Sequence, residues 1–162
     1  MKTLDRLRLQ YLIIHHSLSE DGKTLNWPAI VRWHVKNNHW SDVGYHVGIE
    51  NVGAGNAVVS WGRPLQFVGS HCKEQSMNFR SWGLCVVGNY DDKVPPKCVW
   101  DASVQTAAIL CLAGNIRISN ILPHTDFAKY KSCPGRSFDM GKFRSDVEDF
   151  LFTKMPTIHP AR

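Results

Sequence analysis

Three short segments of this 162-residue chain carry side chains suited to hydrolytic chemistry. The first is Ile13-Ile14-His15-His16-Ser17, a histidine pair where an apolar run stops. The second runs from Pro123 to Gly135. It places His124 and Cys133 nine residues apart, too far for one helical turn but natural for a loop that folds back on itself. A neutral imidazole and a thiolate are good zinc ligands. A further histidine would make three ligands and leave one tetrahedral position for water, as a catalytic zinc requires. Two neutral histidines and a thiolate leave the ion about one unit positive, so it remains a Lewis acid. By sequence alone either His15 or His16 can be that histidine. The third segment is Ser41 to Ile49, in which Gly44 permits a close turn and Tyr45 opens a strand with its hydroxyl near the sheet end. Taken singly, each segment has a plain structural alternative: a hydrogen-bonded core histidine, a buried cysteine, an amphipathic strand tyrosine.

The elements that must position these groups alternate in type along the chain. Arg8 to His15 reads as an apolar strand, followed by the polar run Ser17 to Lys23. Asn26 is placed to cap a helix with Pro28 in its first turn, running through Ala29, Ile30, Trp33 and His34 to about Asn38. Tyr45 to Glu50 and Ala57 to Ser60 read as strands joined by a turn at Gly53-Ala-Gly-Asn. Gly83 to Val87 has the continuous apolar character of a buried central strand. After the loop Val94-Pro95-Pro96, the apolar residues of Ala102 to Asn115 recur at helical spacing. Asp139 is placed to cap a last helix from Gly141 to about Phe152. This order predicts an α/β fold: one domain over 1–152, a central mixed sheet flanked by about three helices, and a frayed tail over 153–162.

Composition narrows the function. Apolar residues make up 43% and charged residues 20%, the balance of a globular domain. No apolar run approaches the roughly 18 residues of a membrane-spanning helix. Lys2, Asp5, Arg6 and Arg8 interrupt the N-terminal region, and Tyr11 to Ile14 is too short for the apolar core of a signal peptide. Five cysteines, an odd number, read as reduced thiols rather than a disulfide framework. The net charge of +5 suits an anionic polymer, but the basic residues are scattered. No basic stripe interleaved with aromatics marks a nucleic-acid surface.

Together the segments match a family. The chain resembles the type 2 N-acetylmuramoyl-L-alanine amidases, which include phage amidase-type lysozymes and peptidoglycan recognition proteins. The likeness spans about Leu9 to Phe150. It rests on Ile-Ile-His-His-Ser (13–17), Trp33-His34, Asp-Val-Gly-Tyr-His (42–46), Val-Gly-Ser-His (68–71), Asn78, Trp-Gly-Leu-Cys-Val-Val-Gly-Asn (82–89) and His124 with Lys131-Ser-Cys-Pro-Gly. The resemblance implies Zn2+ held by His15, His124 and Cys133, with Tyr45 and Lys131 catalytic. It implies a substrate groove lined by Trp33, His34, His46, His71 and Asn78. The loop from His124 to Cys133 is one residue longer than usual for the family, which makes Lys129 the fallback for Lys131. The implied activity is hydrolysis of the amide between N-acetylmuramic acid and L-alanine in bacterial peptidoglycan, by a monomer that neither binds nucleic acid nor enters membranes. A short chain without a signal peptide fits a phage endolysin, held in the host cytoplasm until release onto the wall. A cytoplasmic muropeptide-recycling amidase and a binding module that does not cut are the alternatives. Recognition-only relatives commonly lack the cysteine ligand. A closed structural zinc site would need a fourth protein ligand, and none stands at suitable spacing.

Overall fold

The computed structural model describes residues 1–19 and 25–153. Five strands form one sheet: β1 (Tyr11–His16), β2 (Val47–Gly53), β3 (Asn56–Trp61), β4 (Ser81–Val86) and β5 (Ile121–Pro123), in the order β3-β2-β4-β1-β5. β4 is central and parallel to both β1 and β2, β5 is parallel to β1, and β3 closes an antiparallel hairpin on β2. The α/β fold with a mixed sheet is as expected from the order of elements. The helices are α1 (Trp27–Arg32), α2 (Lys97–Gly114) and α3 (Met140–Thr153). Except for Thr153, the tail lies outside the described residues, as do positions 20–23 of the polar run after β1.

Alternation along the strands divides the molecule into two sides. Leu12 and Ile14 of β1, Trp82, Leu84 and Val86 of β4, and Val47 and Ile49 of β2 share the main core. They pack there with Val104, Ala107, Ala108 and Cys111 of α2 and Phe143 and Val147 of α3. Successive strand side chains point to opposite faces. Ile13 and His15 therefore face the other side, where Ile13 packs with Cys72 and Met77, and Cys85 of β4 packs with Trp27 and Ile30 of α1. This second face carries the chemistry.

Local signals set most element ends. The Asn26 side chain accepts from the Ala29 amide at 3.0 Å, with proline in the first turn of α1. The helix then widens into a single π-turn over Trp33–Asn37. Asp139 Oδ1 accepts from the Lys142 amide at 2.9 Å and caps α3. Asn115 ends α2 in the left-handed conformation, a role its short polar side chain tolerates. Several boundaries differ from the sequence reading, among them β2, which runs on to Gly53, and β4, which begins at Ser81. β1 begins at Tyr11 rather than Arg8, because Asp5 to Arg8 forms a turn closed by the Arg8 amide on the Asp5 carbonyl. α2 begins directly after Pro96, five residues before Ala102, since a helix can start at once behind a proline. Tyr45 precedes β2 instead of opening it, on a segment whose carbonyl accepts from the Arg63 amide.

Candidate active site and metal centre

The sheet register brings two distant histidines together. β1 and β5 run side by side with Ile14 opposite Pro123, so the next residue along each chain segment is a histidine, His15 still on β1 and His124 just past the end of β5. The rings of His15 and His124 lie with centroids 4.5 Å apart. His16, on the opposite face, is not part of this pair: its Nδ1 accepts from the Tyr90 amide at 3.2 Å. The period-2 geometry of a strand thus decides between two adjacent histidines that sequence left equivalent.

Cys133 returns to this point because the loop after His124 folds back, closed by the Thr125 amide on the Cys133 carbonyl at 3.1 Å. One ligand atom each from His15, His124 and Cys133 lies within 4.8 Å of the others, and all three residues are buried. Tetrahedral zinc holds its ligand atoms about 3.5 Å apart, so a small contraction of this trio encloses the ion. Both His124 nitrogens are buried without a hydrogen-bond partner. An uncompensated buried nitrogen is unfavourable unless something fills the gap, and a cation does so. Burial, and then the neighbouring His71, hold His15 well below the usual imidazole range; burial also lowers His124. Both rings are therefore neutral near pH 7 and free to donate lone pairs. Burial pushes the Cys133 thiol up, so it ionises only against a nearby positive charge. The donors fit zinc, and the trio has no fourth protein ligand among the described residues, which leaves one position open. A second trio, Cys72, Glu74 and His124, adjoins the first and shares His124 with it.

His124 and Cys133 of the trio line a cleft of about 850 Å3 whose lining also includes Tyr45, His34, His71, Asn78, Lys129 and Lys131. Tyr45 is half-buried with its ring 5.1 Å from that of His15. Desolvation, and then Cys85, raise its phenol well above the ordinary value, so it carries its proton at neutral pH. His71 Nδ1 sits 3.0 Å from His15 Nε2, and its ring occupies space that a side chain at Gly83 would invade, a Cβ there meeting it at 2.5 Å. Glycine at position 83 of the central strand thus leaves the space His71 occupies beside His15. Asn78 Oδ1 accepts from the amides of His71 and Cys72 at 2.9 and 2.8 Å and fixes that loop. His34 Nδ1 accepts from the Gly44 amide at 3.1 Å, tying the π-turn to the segment that carries Tyr45.

A family model described as N-acetylmuramoyl-L-alanine amidase matches residues 5–136. The chain belongs to this family. An endolysin of Enterobacteria phage T3 is 32% identical over 145 residues, covering 85% of this chain and 87% of that protein. Among solved structures, an endolysin N-acetylmuramoyl-L-alanine amidase, LysCS of Clostridium intestinale, superposes with a TM-score of 0.75 at 22% identity, covering 91% and 89% of the two chains. A Drosophila recognition protein, a mutant of PGRP-LB in complex with tracheal cytotoxin, superposes with a TM-score of 0.69 at 23% identity over 96% and 87%. At these identities the two structures speak for the fold.

In this member of the amidase family, two of the residues expected in the groove stand elsewhere. His46 is completely buried, its Nδ1 accepting from the Gly83 amide at 2.9 Å and its Nε2 3.1 Å from the Phe67 carbonyl. It clamps β4 to the segment that follows β3 and does not line the cleft. Trp33 is 59% exposed on the π-turn, outside the cleft lining, because adjacent helical positions face different ways and His34 takes the side shared with Tyr45. Both Lys129 and Lys131 line the cleft, but only the charge of Lys131 acts on both His124 and Cys133. Sequence reading passed over Glu74, Tyr130 and Arg63. Arg63 is 5% exposed and donates to the carbonyls of Asp42, Val43 and Val68 and to Ser70 Oγ. It pins the Tyr45 and His71 segments to each other. Nothing in its sequence surroundings marks it, since its acceptors are mostly backbone atoms.

Proposed function

We propose that this amidase-family protein is a zinc-dependent endolysin that hydrolyses the amide between the lactyl group of N-acetylmuramic acid and L-alanine in bacterial peptidoglycan. The observation that carries the reading is the convergence of His15, His124 and Cys133, the last two of which line a cleft that also holds Tyr45 and Lys131. When bound, zinc supplies a water acidic enough to attack at neutral pH and polarises the scissile carbonyl. The chain's own residues do the rest. His15 and His124 stay neutral through burial and keep their lone pairs for the ion. The ammonium of Lys131 faces the negative charge that develops on the lactyl oxygen, where losing one such donor typically costs about 10²–10³ in rate. Tyr45, protonated and beside His15, is placed to deliver a proton to the departing nitrogen. His71 orients His15, and Asn78 orients His71. The endolysin likeness and the recognition protein's complex with tracheal cytotoxin support a muropeptide in the cleft. As an endolysin the protein waits in the host cytoplasm until the membrane is breached. No helix among the described residues is long and apolar enough to cross a membrane.

The test is incubation with intact peptidoglycan, with and without chelator, reading new amino termini by mass spectrometry. Release of L-alanine termini that chelator stops is the expected result. Cys133→Ser removes the anionic ligand while leaving the cleft intact, so it should lose cleavage yet still sediment with the wall. Equal binding by wild type and Cys133→Ser, with no termini released by either, would identify a recognition module instead. Cleavage confined to soluble muropeptides would point to a recycling amidase.

A further inference from the structure

We infer that Glu74 is a positioning residue for the metal centre, holding the His124 ring in the tautomer and orientation that zinc needs, and that Tyr130 holds Glu74. The inference rests on the zinc reading above. Each ligand imidazole has one nitrogen turned toward a polar side chain. For His15 this is Nε2, 3.0 Å from His71 Nδ1. For His124 it is again Nε2, 3.6 Å from Glu74 Oε2. A shift of a few tenths of an ångström makes that contact a hydrogen bond, and no hydrogen-bond partner competes for the nitrogen. A carboxylate only accepts, so it fixes the proton on Nε2 and leaves the Nδ1 lone pair free, as outer partners of metal-bound histidines do. Glu74 is itself tethered: the Tyr130 hydroxyl donates to Oε1 at 2.5 Å, from the loop that also carries Lys131 and Cys133. Its side chain is only 17% exposed, which shields the contact from water. Directly after it, Gln75 and Ser76 both adopt left-handed backbone conformations, with φ of 49° and 58°, so this chain turns sharply just where Glu74 must face His124. The carboxylate and hydroxyl therefore join the 3-10 segment Glu74–Phe79 to the ligand loop across His124.

The experiment measures zinc affinity by competition with a chromophoric chelator, zinc stoichiometry by metal analysis, and the visible spectrum of the cobalt-substituted protein. Glu74→Gln keeps the shape and one acceptor oxygen but loses the charge. It should bind one zinc roughly 10–100-fold more weakly than wild type. Raising free zinc should restore most of its turnover, and its metal-free form should melt with the metal-free wild type. Tyr130→Phe keeps the ring beneath Lys131 Nζ, 5.5 Å away, and removes only the hydroxyl, so its loss of affinity should be smaller and in the same direction. The cobalt spectrum of Glu74→Gln should shift in its ligand-field bands while keeping the thiolate charge-transfer band of Cys133. Glu74→Gln affinity within twofold of wild type overturns the inference. So does a wild-type stoichiometry of two that falls to one in Cys72→Ser, because Cys72, Glu74 and His124 would then be a metal site in their own right. Wild-type protein that takes up no zinc overturns the zinc reading itself and this inference with it, and that failure shows in the wild type before any variant is made.

Discussion

Two neighbouring strand residues, His15 and His16, occupy opposite faces, and that difference separates a candidate metal ligand from a histidine that accepts from a backbone amide. Exchanging their roles by mutation should therefore be asymmetric. His15→Ala should abolish both zinc binding and cleavage. His16→Ala should leave zinc stoichiometry at one while lowering stability, because its hydrogen bond from the Tyr90 amide is lost, a contribution of about 1 kcal/mol. Metal analysis of the two variants beside their denaturation midpoints checks this, and loss of zinc in both would contradict it. Lys131 is assigned to the developing charge and not to the ion. Lys131→Ala should cut turnover at least tenfold with zinc content unchanged. If Lys131→Ala is nearly wild type and Lys129→Ala is inactive, the longer loop has shifted the assignment by two residues.

At the scale of elements, the site is assembled by connections that carry no chemistry of their own. Arg63 spans two loops, and its carbonyl partners at Asp42, Val43 and Val68 have the guanidinium as a buried donor. Arg63→Met leaves those carbonyls unpaired and should destabilise the protein by on the order of 3 kcal/mol, read as a lower urea midpoint. The Tyr45 and His71 segments lose their tie together, so activity at low temperature should fall as well. A midpoint within experimental error of wild type would show that water replaces the guanidinium. The Asn26 cap is a local counterpart: Asn26→Ala should cost about 1 kcal/mol and leave the site untouched.

For the whole molecule, pH and salt act through different groups. Burial lowers His46 to about 4. Unfolded, it titrates near 6.5, so between these values the unfolded chain binds the extra proton and the folded chain does not. Stability is thus complete above about pH 6.5 and declines as pH falls toward 4, by on the order of 3 kcal/mol. Buried His15 and His71 act in the same direction when metal is absent. Urea midpoints of the metal-free protein at pH 7.5 and pH 5 measure the decline, and equal midpoints would refute it. Sedimentation with the wall should weaken with salt, since a net charge of +5 meets an anionic polymer. Removing zinc should end cleavage before it ends folding, because the sheet and its helices already bury a large apolar core.

The sequence by itself determined the order of elements, the single mixed-sheet domain and the segments that hold the candidate ligands. Apolar runs, caps and turn residues are local signals, and they placed β4 as a buried centre and Asn26 and Asp139 at helix starts. The family motifs point to His15, His124 and Cys133 as the candidate ligands. Tertiary structure alone decided the rest. β5 is three residues long and has too little pattern of its own to announce a strand; its pairing with β1 is what sets His124 beside His15. His46 sits within a motif yet is spent on backbone hydrogen bonds, because burial on the sheet's second face depends on strands far apart in sequence. Glu74 lies 50 residues before His124 and Tyr130 six after it, and no periodicity links them. Their meeting is a long-range contact between the 3-10 segment and the loop after His124, which local sequence preferences do not encode.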